Sequence, residues 1–495
     1  AIELAKSLED KSLQAEMEAV KEYVLKALAE DKYGHLWVGT REGLICYDKV
    51  SRKYQISTHD VHNSISLAQN SVIDLFVDNR SDLWIGTRGG LSYRNKEKQN
   101  FLLLQESKND NKYLNCAQVY AFYEASPSEI WIGTESGGIN IYNSDTKSFS
   151  YITKENSGLS TNCIKSMVEV DGKLLVGTYM GGLNVIDIKS RNVIAKYKHN
   201  DKDKTTIADN NVWSICVTKE GSVLLATSNG IDKFDVMKGS FTHIDHLAYN
   251  KEVYYLFEDS DQDLWVFTPD EIIVRQVEEN RTVNYTEKAR SMVQGSNNIF
   301  YVGSNERGIL LYSKYNGFVS AIDESTGLCN NNVVSMTLQD NKIFAGTTGG
   351  LSIIDISSDS VKITNFDERD GLQGNQFHYG AMSLKKNGEV MIGGSAGANI
   401  FDARLIKEND FVPPVLISEI KVFNQVLPSD EIKEDNGRKH ISVDYDKNMI
   451  LYGPPGTGKS TLCEFLKVLS ETTPDIKPVQ VIGMDGFHRY QDYLT

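Results

Sequence analysis

The feature that most constrains this chain is a short phrase that returns along most of its length. Leu83-Trp84-Ile85-Gly86-Thr87-Arg88-Gly89-Gly90-Leu91 is the fullest copy. Leu36-Trp37-Val38-Gly39-Thr40 leads to Gly43-Leu44, and Ile130-Trp131-Ile132-Gly133-Thr134 leads to Gly137-Gly138-Ile139. Weaker copies put Leu175, Leu224, Trp265, Tyr301, Phe344 and Met391 in the Trp slot. The nine slots are spaced by 47, 47, 44, 49, 41, 36, 43 and 47 residues. One apolar anchor per forty-odd residues is the mark of a repeat architecture.

Within one unit the pattern spells short strands. Ser71 to Val77 is β-branched and apolar, Asp78 to Asp82 is turn chemistry, and Leu83 to Thr87 is a second strand. Arg88-Gly89-Gly90 turns the chain, Leu91-Ser92-Tyr93 alternates as a third strand, and Phe101 to Leu104 reads as a fourth, outer strand. Four antiparallel strands repeated radially make a β-propeller blade, with strands A to D running from the inside out.

Blade topology gathers the B–C turns on one rim. They carry Arg41, Arg88, Glu135, Tyr179, Asn305 and Arg307. The starts of the A strands add Asn70, Asn115, Asn162 and Asn211, for which turn formation is the first reading. Arg41, Arg88, Tyr179, Trp213, Arg307 and His378 are the candidate ligand-binding residues of this rim. Arg forks suit anionic groups, and aromatic faces suit sugar rings. His378 has a plainer reading as a packed or rim residue.

Nine units exceed the usual four to eight blades. The expected fold is therefore mainly β, with a seven-blade ring at 115–410 and two remnant blades of a second propeller at 22–114. Residues 1–21, rich in Ala, Leu, Glu and Lys without Gly or Pro, are expected to be helical. Strand A of the first unit is expected at about 23–30.

Composition narrows the function classes. Net charge is −15 over 495 residues, which disfavours a nucleic-acid or anionic-membrane partner. No run of 18 apolar residues is present, so no membrane-spanning helix is expected. No signal peptide is visible and the chain begins at Ala1, which fits a processed chain or a piece of a longer one. Six dispersed Cys form no Cys-x-x-Cys pattern, so zinc is not expected; Cys116 and Cys163 read as packed small side chains. Asp259-Ser260-Asp261-Gln262-Asp263 looks like a calcium loop but lacks the Gly and Glu of the EF-hand pattern, and it falls where each unit has its A–B turn.

The repeats, with Asn-x-Val, Leu-Trp-Ile-Gly-Thr and Gly-Gly-Leu, resemble the propellers of hybrid two-component sensors of Bacteroides-type gut bacteria. The exit also resembles them: Pro413-Pro414-Val415-Leu416-Ile417 to Asn424 looks like the start of their Ig-like Tyr-rich domain. The resemblance covers about 22–447. It implies a periplasmic ectodomain that binds oligosaccharides and signals as a homodimer through the Ig-like region. Here that region, 411–447, is expected to be truncated, and the first propeller is short.

The C-terminal segment has different chemistry. Gly453-Pro454-Pro455-Gly456-Thr457-Gly458-Lys459-Ser460 matches Gly-x-x-x-x-Gly-Lys-Ser, between the apolar Met449 to Tyr452 and a helical pattern from Thr461. Gly453, Gly456, Thr457, Gly458, Lys459, Ser460 and Thr461 are the candidate nucleotide-binding residues, for Mg-ATP. Lys459 would meet the β/γ-phosphates, and Ser460 would hold Mg²⁺. Val479 to Gly483 followed by Asp485 resembles small-metabolite kinases of the uridine- and pantothenate-kinase type. That resemblance implies a catalytic role for Asp485 at the acceptor hydroxyl or metal. A complete kinase needs more strands and a lid, so 448–495 is expected to be an incomplete P-loop piece.

Three functions follow: a glycan-sensing propeller, an ATP-dependent small-metabolite kinase fused to a propeller, and a propeller serving as a protein–protein scaffold. A periplasmic sensor and a cytoplasmic kinase do not share a compartment. The simplest expectation is a junction of unrelated pieces near 445–450.

Overall fold

In a computed structural model, the described residues are 26–406, apart from short gaps at 62–65, 80, 96–100, 108–110, 297, 315–316 and 359–360, together with a few short strands between 421 and 450. The expected N-terminal helix at 1–21 and the P-loop residues 451–495 lie outside them. Two compact units divide at Lys407/Glu408. In the second, Lys421–Val422 pairs with Gln425–Val426 and with Met449–Ile450, and Ile432–Asp435 pairs with Arg438–Ile441.

The first unit is built from nine antiparallel sheets among its described residues. Their first strands are Ala27–Glu30, Val72–Val77, Val119–Ser126, Ile164–Val170, Val212–Val217, Tyr255–Glu258, Ala289–Gln294, Val333–Gln339 and Phe377–Leu384, and the sheets are numbered 1 to 9 in that order. Each runs A-B-C outward by hairpins, as the repeat predicts. The A strands of sheets 3 to 9 touch in sequence, and that of sheet 9 returns to that of sheet 3. The A strands of sheets 1 and 2 touch each other. The first A strand begins at Ala27, with Lys26 N–H already bonded to the Gly39 carbonyl.

One strand departs from the expected placement. Leu102–Leu104 is not the outer strand of sheet 2, which has three strands. It pairs with Ala398 to Ile400 as the outer strand of sheet 9. The physical reason is burial. Phe101 packs edge-on against Phe366 and Phe401, at centroid distances of 5.5 and 4.8 Å, in the core between sheets 8 and 9. The strand thus ties the beginning of the cyclic run to its end.

The repeated phrase has a specific use for each residue. The Thr after strand B closes the B–C turn: Thr40, Thr87, Thr134, Thr178, Thr227 and Thr347 each donate their hydroxyl to a turn carbonyl, at 2.7 to 3.0 Å. The Gly before it lets the next sheet approach. A Cβ on Gly133 would lie 2.7 Å from Ile164 of sheet 4, and one on Gly393 would lie 2.5 Å from Val119 of sheet 3. The indole of the Trp slot bonds back to the preceding turn, from Trp37 to Asp31, Trp84 to Asp78 and Trp265 to Asp259. Asp259 also accepts N–H groups of Asp261 and Asp263, so the calcium-like run works as an A–B turn, with Lys314 against Asp261 and Asp263.

Eight of the nine slot residues are buried. An apolar anchor repeated in every unit should lie between blades; Trp131 is fully buried, but Trp84 is 37% exposed. Trp84 faces the side of sheet 2 away from sheet 1, in a cross-strand row with Phe76 and Tyr93 that is exposed throughout. A Cβ on Gly86 would meet only its own sheet, at 3.6 Å from Asp74. In the described structure no further sheet covers this face.

Candidate functional site

The A strands share an irregularity that builds the site. In sheets 3, 4, 5, 7 and 8 the register skips one residue right after the first: Tyr120, Lys165, Trp213, Arg290 and Val334 have no partner on strand B. Such a bulge re-aims a side chain and interrupts pairing. In sheet 6 the corresponding residue is Tyr254, which follows the buried Val253 just ahead of the strand. In sheet 9 the irregularity spans four residues and includes His378 and Tyr379.

These side chains meet one another at one end of the A strands, beside the B–C turns. Tyr179, from the B–C turn of sheet 4, lies 5.6 Å from Trp213 between ring centroids, and Trp213 lies 5.8 Å edge-on from Tyr254. The Arg290 guanidinium sits 3.5 Å from the Tyr254 ring centroid and 4.4 Å from that of Tyr379. In sheet 8 the residue at this place is Val334, buried in the core between sheets 8 and 9, and Arg290 of sheet 7 reaches Tyr379 of sheet 9. On the other side, His378 stacks on Tyr120 at 4.3 Å, and Lys165 Nζ lies 3.5 Å from the same ring centroid. The result is an arc of aromatic rings and cations around one mouth of the cyclic run.

Hydrogen bonds fix these groups. Trp213 Nε1 donates to Ser228 Oγ at 3.0 Å. The Tyr254 hydroxyl donates to Glu252 at 2.8 Å, and Ser228 donates to the same carboxylate. Lys165 forms an ion pair with Glu135. Burial, and then the Glu135 charge, push the Tyr120 phenol up to about 12. Burial holds the His378 imidazole below its ordinary value, and Lys165 adds to that, although Nδ1 sits 3.1 Å from the Val119 carbonyl. His378 is neutral at pH 7 and presents a flat ring.

The structure brings together only part of the rim read from sequence. Tyr179, Trp213 and His378 are in the arc. Arg307 is not: it pairs with Glu287 and lies over Phe318 of the outer strand, directed away from the mouth. Arg41 and Arg88 belong to sheets 1 and 2, outside the cyclic run, so they do not converge with the others. The rim Asn residues make turns. Asn70 accepts from His59 N–H, Asn115 donates to the Gly137 carbonyl, Asn162 accepts from Lys154 N–H, and Asn211 accepts from Met180 N–H. Sequence reading missed Tyr120, Lys165, Tyr254, Arg290 and Tyr379. The available signal was positional: each follows, directly or one residue on, the apolar residue that opens strand A. Gly453 to Thr461 and Asp485 lie outside the described residues.

A second concavity is lined by His199, Asn229, His243 and Tyr249. Its imidazoles are engaged within the fold. His243 bonds the fully buried Asp232 at 2.5 Å and the Lys204 carbonyl at 2.8 Å, and His199 bonds the Ile207 carbonyl and Asp201.

The two-component regulator propeller family matches residues 21–42 and 66–89, in the first two repeats. The chain is also 46% identical over 46 residues to the uncharacterized protein YggC of Escherichia coli, a stretch covering 9% of this chain and 19% of that one. Among solved structures, the extracellular domain of a hybrid two-component system from B. thetaiotaomicron superposes with a TM-score of 0.67 at 18% identity, over 85% of this chain and 56% of that one. A second such domain from the same organism superposes with a TM-score of 0.52 at 20% identity, over 82% and 56% of the two chains. The chain thus spans just over half the length of these solved relatives. At this level of identity the likeness establishes the fold: the first unit has the β-propeller architecture of those extracellular domains.

Proposed function

We propose that this chain is the sensing part of an extracytoplasmic two-component system, and that the mouth lined by the bulge residues takes an oligosaccharide. The observation that carries this reading is the arc Tyr179–Trp213–Tyr254, continued by Arg290 and Tyr379. Ligand sites combine apolar and aromatic lining with a few fixed polar groups, and the arc has that composition. The fold shared with extracellular sensor domains and the family match in the first two repeats support the sensing role. In this reading sheets 3 to 9 form one closed seven-blade ring, sheets 1 and 2 belong to a second propeller, and residues 411–447 mediate a homodimer. The motif at 453–460 stands beside it as a proposed Mg-ATP site.

The test is a calorimetric screen of oligosaccharides against the full chain, repeated on Trp213→Ala and Tyr254→Ala. Binding is expected to weaken about 10-fold or more in both, as for loss of a buried aromatic anchor. Unchanged affinity in both variants would remove the ligand from this mouth. Trp213 and Tyr254 variants that lose a protein partner while binding no sugar would favour the scaffold reading.

A further inference from the structure

We propose that this mouth selects ligands bearing an acidic group, the carboxylate or sulfate of an acidic sugar, and that Arg290 is the residue that recognises it. The proposal rests on the oligosaccharide reading above and adds the charge of the ligand.

The arc holds two cations, Lys165 and Arg290, and Lys165 is already neutralised by Glu135. Among the described residues, Arg290 has no carboxylate within ion-pair distance. Its neighbours are the rings of Tyr254 and Tyr379, and it touches the Tyr254 side chain. Ring faces attract a guanidinium but leave its in-plane N–H donors largely unused. The group is half-buried, and a cation withdrawn from water is favoured by a paired anion. The rings also hold the fork in place, so little freedom is lost when an anion docks bidentately.

The surroundings accommodate such a ligand. The nearby carboxylate, Glu252, already accepts from the Tyr254 and Ser228 hydroxyls. Trp213 and Tyr179 offer ring faces one step along the arc, where the sugar attached to the acidic group would lie. The whole chain carries a charge of −15, so a half-buried guanidinium at an aromatic mouth runs against the overall field. That placement suits selection of an anion at short range, not long-range attraction.

Matched pairs of probes separate charge from sugar recognition. Trigalacturonate and its methyl ester test a carboxylate; a heparin tetrasaccharide and its desulfated form test a sulfate. Calorimetry on the full chain is expected to show the acidic member of at least one pair binding about 10-fold tighter, the size of one charge-assisted hydrogen bond. Arg290→Gln should bring that ratio close to one, and Arg290→Lys should leave part of it. Trp213→Ala should weaken both members of the pair. A melting curve checks that Arg290→Gln folds; if it does not, the reduced ratio in Arg290→Lys carries the test. Equal affinity for both members of each pair, or a preference that survives Arg290→Gln, overturns the proposal. If Trp213→Ala still weakens binding in that case, the oligosaccharide reading stands without it. Failure of every acidic probe to bind at about 10 mM also overturns it.

Discussion

The imidazole of His378 stacks on the phenol of Tyr120, with ring planes 16° apart, across the seam where sheet 9 meets sheet 3. The same imidazole bonds the Val119 carbonyl, so one side chain of sheet 9 holds two residues of sheet 3. Closure of the cyclic run therefore has a polar tie at the mouth and an apolar one at the rim, where Leu102–Leu104 completes sheet 9.

That tie makes stability depend on pH. Unfolded, His378 takes a proton near its ordinary value of 6.5; folded, burial delays protonation to lower pH. The unfolded chain then binds more protons in this window, and the His378 contribution falls as pH drops through about 6.5. His199, whose value is raised by the Ile207 carbonyl and then by Asp201, pulls the other way. The informative measurement is thus a comparison. Melting temperature between pH 7.5 and 5 should fall less in His378→Gln than in the wild type. An identical slope in the two proteins would show that the imidazole does not feel the seam.

The closing strand should be worth more than its length suggests. Phe101→Ala removes a buried ring from the core between sheets 8 and 9 and should cost about 3–5 kcal/mol. A chain starting at residue 115, the boundary read from sequence, lacks Phe101 to Leu104 and leaves strand C of sheet 9 as an open edge. It should melt lower and less cooperatively than one starting at residue 101. Equal melting curves for these two chains would contradict the sheet 9 pairing.

The Trp slot separates two environments. Trp131→Ala should cost about 3–5 kcal/mol, because the indole is fully enclosed between sheets 3 and 4. Trp84→Ala should cost under about 1 kcal/mol, since it loses mainly the bond to Asp78 and the tilted ring contact with Tyr93. Denaturant unfolding of both variants checks the ranking, and iodide should quench Trp84 but not Trp131. Comparable costs would mean that the Trp84 face is covered in solution.

What the sequence made legible was what each unit repeats. The Trp slot, the Gly before the Thr and the B–C turn recur because every sheet needs the same anchor, clearance and turn, and a repeated need leaves a repeated residue. The closing strand does not recur. Leu102–Leu104 has the local pattern of any outer strand, and only packing with Phe366 and Phe401, far along the chain, selects its sheet. The mouth was half-hidden for the opposite reason. Its position recurs but its residues do not, running Tyr120, Lys165, Trp213, Tyr254, Arg290 and His378, because a bulged side chain at the mouth is freed from part of the packing that enforces a consensus. Arg307 was misplaced because a turn residue can point either way, and the partly buried carboxylate of Glu287 draws it outward.

The C-terminal motif Gly453 to Ser460 lies outside the described residues, and its chemistry is that of its sequence. Backbone N–H groups of a Gly-rich loop and the start of the following helix do most of the phosphate holding. Lys459 adds a charge, and Ser460 adds a metal ligand. Binding of Mg-ATP should therefore be measurable by equilibrium titration, and Lys459→Ala should weaken it about 10-fold or more, as expected for a charge-assisted contact. Phosphoryl transfer asks for more: stabilised charge around the moving group, an aligned acceptor and exclusion of water. In the sequence of residues 448–495 only the loop, one candidate helix and one further candidate strand near Asp485 are legible, and a lid and a parallel sheet are what transfer would add to them. Turnover with nucleosides, pantothenate and simple sugars should be absent. Turnover that disappears in Lys459→Ala and in Asp485→Asn would show a working kinase and reverse the order of the functional readings. Absence of binding at millimolar Mg-ATP would withdraw the nucleotide site altogether.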